Sequence, residues 1–65
     1  MKTVKIQSKK TNEIIMYFID NVRVNVHEFH NKVTLFNYFH SGNYNTSYTE
    51  KTKSGNYKHV SYYSI

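Results

Sequence analysis

The chain has no cysteine, proline, tryptophan or alanine, only two glycines, and only 4 acidic residues. Without cysteine, no disulfide framework and no thiolate metal site can form. Two glycines leave no room for a Gly-rich phosphate loop. The carboxyls are Glu13, Asp20, Glu28 and Glu50. Two of these fall at turn and helix-cap positions, so the paired-carboxylate chemistry of glycoside hydrolysis has little to draw on. No apolar run reaches the ~18 residues of a membrane-spanning helix. The N-terminal MKTVKIQSKK lacks the apolar core of a secretory signal, and the chain reads as cytoplasmic.

What remains is basic and aromatic. Sixty-five residues allow one small domain, with 9 Lys+Arg giving a formal charge of +5. Seven Tyr and four Phe argue against disorder. At this length folding gains and conformational entropy nearly cancel. The chain therefore needs tidy packing, an obligate target, or a second copy in a homodimer. Eight Lys, eight Asn, seven Tyr and five Ile reflect A+T-rich coding. Small chains of this composition look like accessory proteins of phages and mobile elements.

Periodicity sets the element order. Thr3 to Ser8 alternates as a half-buried strand does. Ile14 to Ile19 (IIMYFI) is apolar on both faces, as in a covered central strand. Asp20-Asn21 tolerate left-handed backbone and suit a turn. Val22 to Val26 alternates again. A 3.6-residue period then aligns Val26, Phe29, Val33, Phe36 and Phe39, with Leu35 at the margin and Tyr38 opposite. Asn25 is placed as N-cap with Glu28 three residues on, and Gly42 as a left-handed C-cap. Two Tyr-, Thr- and Ser-rich strands follow, joined by Thr52-Lys53-Ser54-Gly55. Ser41-Gly42-Asn43-Tyr44 recurs as Ser54-Gly55-Asn56-Tyr57, a turn-then-strand echo. The expected fold is α+β: a β-β-β-α-β-β domain over 1–65, an antiparallel sheet with one amphipathic helix on one face. Strands are expected over about 3–9, 13–20, 22–26, 44–51 and 56–64, and the helix over about 27–40.

A helix of that length spans roughly 21 Å and shields one face of a small sheet. If Val4, Ile6, Ile14, Met16, Phe18, Val60 and Tyr62 face the helix, alternation leaves Lys5, Gln7, Ile15, Tyr17, Ile19, Arg23, Tyr57, His59 and Tyr63 open. A one-residue slip inverts the assignment. Because IIMYFI is apolar either way, an uncovered apolar face survives the slip, and such a face marks an interaction site.

The candidate chemistry is thin. His27 and His30 stand at i, i+3, one residue short of an HExxH pair, with no third ligand fixed by spacing. His59 with Tyr57 and Lys58 is the minimal set for a metal-independent nuclease, supported by sequence proximity alone. No catalytic residue, metal or cofactor is assigned. Binding signals are richer. Lysines interleaved with tyrosines suit single-stranded nucleic acid, with cations for phosphates and rings for bases. Tyr, Ser, Asn, Gly and Thr dominate 41–63 and also make good protein-binding surfaces. The plain alternative is a solvated hairpin kept soluble by lysine. The expected binding residues are Lys5, Tyr17, Arg23, Tyr57, Lys58, His59 and Tyr63. The expected function is non-enzymatic: inhibition or modulation of a host protein or defence complex by steric occlusion. Nucleic acid is the alternative partner, and no membrane is involved.

Overall fold

Asp20 and Asn21 adopt left-handed backbone, with φ of 49° and 69°. This conformation folds β2 (Ile14–Ile19) back onto β3 (Val22–Val24) as a two-residue hairpin. Asp20 also ties the hairpin to β1 (Lys2–Gln7): its N–H donates to the Lys2 carbonyl at 2.9 Å, and its Oδ1 accepts from the Lys2 N–H at 2.9 Å. The β1–β2 turn is organised by Ser8, whose hydroxyl oxygen accepts from the N–H groups of Lys10 and Thr11. Asn12 closes that turn with φ of 61°.

The computed structural model describes residues 1–40 and 44–63. One residue, Asn25, links β3 to α1 (Val26–His40). Its Oδ1 accepts from the Glu28 N–H at 2.8 Å and caps the helix as expected. β4 (Tyr44–Lys51) and β5 (Tyr57–Tyr63) form the C-terminal hairpin. Gly55 supplies its left-handed turn residue, with φ of 89°. All five strands lie in one antiparallel sheet in the order β3-β2-β1-β5-β4. The element order and the single helix are those expected from the sequence. The Gly42 cap, the first copy of the Ser-Gly-Asn-Tyr echo through Asn43, and position 64 lie outside the described residues.

The side on which the helix packs is the reverse of the expectation. Phe29 stacks on Tyr17 with ring centroids 4.8 Å apart, and Phe36 meets Tyr63 at 6.0 Å. Register then puts Thr3, Ile19 and Ser61 on the same side, and Thr3 and Ile19 are buried there. Val4, Ile6, Met16, Phe18, Val60 and Tyr62 face away from the helix. Ile14 parts from them: it pairs with Gln7 across a register shift that skips Ile15. The side is decided by the one-residue connection at Asn25 and by ring-on-ring packing, not by which strand face is more aliphatic.

The helix is also rolled from its expected orientation. Phe29 is buried, while Val33, Phe36 and Asn37 are half-buried. Phe39 was expected in the buried stripe and is 70% exposed. With Asn37 turned inward, Phe39 lies roughly 110° from the centre of the buried side. Val26 is 38% exposed, since in the first turn it has only three-residue β3 beside it. No helix among the described residues is long and apolar enough to cross a membrane.

Candidate binding face

The face away from α1 is built in cross-strand rows. Arg23 lies opposite Phe18, Phe18 opposite Val4, Val4 opposite Val60, and Val60 opposite Tyr48. This row crosses all five strands. A second row runs Met16, Ile6, Lys58 and Glu50, and a third pairs Lys2 with Tyr62 and Tyr62 with Thr46. The centre is dry: Val4 and Val60 are 6% and 0% exposed without any help from the helix.

A groove of about 460 Å³ runs along this face. Val4, Ile6, Met16 and Phe18 line it, Lys2 and Asn21 stand toward the β2–β3 turn, and Thr52, Ser54, Asn56 and Lys58 toward the hairpin loop. Its apolar lining between cationic ends is the usual make-up of a recognition cleft. Tyr48 and Tyr62 hydrogen-bond to each other beside Val60. Desolvation on the sheet, that hydrogen bond, and the charges of Tyr62 and Glu50 push the Tyr48 phenol above its ordinary range. Glu50 meets Lys58 at 3.8 Å in an exposed pair, which contributes little to stability.

The seven expected binding residues are divided between the two faces. Arg23 and Lys58 lie on the groove face, opposite Phe18 and Ile6. Lys5, Tyr17, Tyr57, His59 and Tyr63 lie on the helix side. Tyr17 and Tyr63 carry the helix rather than facing solvent. His59 staples three strands together: its Nε2 lies 2.7 Å from Gln7 Oε1 on β1, and its Nδ1 2.9 Å from Thr49 Oγ1 on β4. The Gln7 oxygen only accepts, so Nε2 carries a proton and donates to it. The proposed nuclease set is split as well, because Lys58 projects from the face opposite His59 and Tyr57. His30 packs edge-on against Tyr17 and Phe29 at 6.1 and 5.8 Å. Among the described residues, no three His, Asp or Glu side chains are grouped to hold a metal.

Sequence reasoning passed over Val4, Ile6, Met16, Phe18 and Tyr62 as face residues because it assigned them to the core. The signal was present in IIMYFI, whose two apolar faces cannot both lie under one helix. A second exposed set, Leu35, Tyr38 and Phe39, lies on the helix at 55%, 80% and 70% exposure. Lys32, three residues before Leu35, is the cation beside it and pairs with Glu28 at 3.4 Å. Comparison with protein-family models, with curated proteins and with solved structures gave no match.

Proposed function

We propose that the chain is a non-enzymatic binding protein whose groove face docks on a host protein or protein complex and blocks its working surface. The observation that carries this reading is the apolar groove between Lys2 and Lys58, on the side of the sheet opposite the helix. Apolar anchors in a concavity give affinity, and a cationic rim gives orientation and on-rate toward an acidic surface. The A+T-biased composition supports a phage or mobile-element origin and action in the host cytoplasm. The test is affinity capture from host extract with and without nuclease treatment. Recovery of one protein species that survives nuclease supports the reading, and recovery of nucleic acid alone contradicts it.

A second reading has its own observation. Arg23, Lys2 and Lys58 share this face with Phe18, Tyr48 and Tyr62, which is cation-plus-ring chemistry suited to a single nucleic-acid strand. With about five phosphates contacted, affinity falls with a log–log salt slope of about −3.5. A flat salt response removes it.

A further inference from the structure

The sheet has two edges, and they differ. β3 is three residues long and runs through Asn25 directly into the helix, which makes it a poor template for another strand. β4 is eight residues long, and Thr46 to Lys51 are all exposed. Its register shift is confined to the far end, between Tyr44 and Thr46, so the stretch from Thr46 to Lys51 pairs regularly with β5. It contains no proline.

The ladder's phase identifies the groups that point outward. The Thr52 N–H donates to the Asn56 carbonyl at 2.8 Å, and the Tyr63 N–H to the Met1 carbonyl at 2.8 Å. Antiparallel ladders alternate. From either end, Glu50 and Tyr48 therefore bond inward to β5, while the backbone groups of Thr49 and Lys51 point away from it. The edge is also neutral in a chain of charge +5: among Thr46 to Lys51 the charges are Glu50 and Lys51, adjacent and opposite in sign. Natural edges are commonly guarded by lysine along their length. This one carries its lysine at the end.

We propose that β4 pairs antiparallel with β4 of a second copy of this chain, about a twofold axis near Thr49, forming one ten-stranded sheet. In that arrangement Glu50 and Lys51 of one copy lie against Tyr48 and Ser47 of the other. The two Lys51 residues then stand ~13 Å apart along the ladder, beyond the screening length at physiological salt. The short β3 edges remain outermost, so pairing closes at two copies instead of extending into a fibre. Small size favours the arrangement: among the described residues, those buried in the lone chain are Thr3, Val4, Ile19, Phe29 and Val60. The contact is small beside permanent interfaces, so the dimer depends on concentration. It places two grooves on one continuous surface.

Sedimentation equilibrium of the full chain from micromolar to millimolar concentration is the test. The expected mass rises from 7.8 kDa to twice that value and stops there. Thr49→Pro removes an outward N–H and weakens association at least tenfold. Thr49→Val loses the same hydroxyl, keeps the N–H, and still dimerises. If Thr49→Pro does not fold, amide exchange on the wild type decides: the Thr49 and Lys51 amides gain protection as concentration rises. A constant 7.8 kDa, growth beyond two copies, equal association of Thr49→Pro and Thr49→Val, or exchange independent of concentration overturns the proposal.

Discussion

Val4 and Val60 lie directly opposite one another in β1 and β5, buried on the side of the sheet that the helix does not touch. The molecule thus has two hydrophobic centres separated by one sheet: an aromatic one under α1 around Tyr17 and Phe29, and an aliphatic one on the groove face. The groove face is part of the folding core as well as the candidate docking surface.

Truncation at this second centre is therefore costly. Val60→Ala leaves a void among neighbours held by the sheet and lowers stability by about 2 kcal/mol. Leu35→Ala, at an exposed helix position, changes it by less than about 0.5 kcal/mol. Urea denaturation midpoints compare the two directly. Equal midpoints would show that Val60 lacks the packing described.

The Thr49–His59–Gln7 staple gives a coupled pair. Thr49→Val and His59→Leu each remove the bond between them, so their effects are not additive. A double-mutant cycle returns a coupling of about 0.5–1 kcal/mol. Additive losses would mean that the 2.9 Å contact does not persist in solution.

At the helix start, Asn25→Ala deletes the oxygen that accepts from the Glu28 amide. The expected cost is about 1 kcal/mol, with most of it recovered in Asn25→Asp. Thermal unfolding followed by circular dichroism measures both.

Tyr48 confers an alkaline pH dependence. Its folded pKa is raised above the unfolded value near 10. The stabilisation is complete below the unfolded pKa and declines as pH rises through the folded one, because the unfolded chain releases the proton first. Urea midpoints for the wild type should fall through this range more steeply than those for Tyr48→Phe. Parallel curves would remove the assigned shift.

The element order was legible in hydropathy and turn chemistry. Asp20-Asn21 require left-handed backbone, Asn25 is a capping residue, and the period changes from 2 to 3.6 at Val26. The helix side was not legible. β1 offers Val4 and Ile6 on one face and Thr3, Lys5 and Gln7 on the other, and hydropathy assigns the first to the helix. Tyr17 and Tyr63 reverse that choice by presenting rings to Phe29 and Phe36, contacts made between distant parts of the chain. The candidate site inherited the reversal. Arg23 and Lys58 were placed beside Tyr17 and His59, yet β-sheet alternation carries them to the opposite face once Phe18 and Ile6 are located there.

In the proposed complex the groove face, not the helix, meets the partner. Affinity for the captured partner is to be measured for two pairs of variants, each first checked for a wild-type circular dichroism spectrum. Arg23→Ala and Tyr62→Ala on the groove face should each weaken binding about 10–30-fold. Leu35→Ala and Phe39→Ala on the helix should leave it unchanged. Loss of binding in the helix pair, with the groove pair binding as the wild type does, would contradict the account.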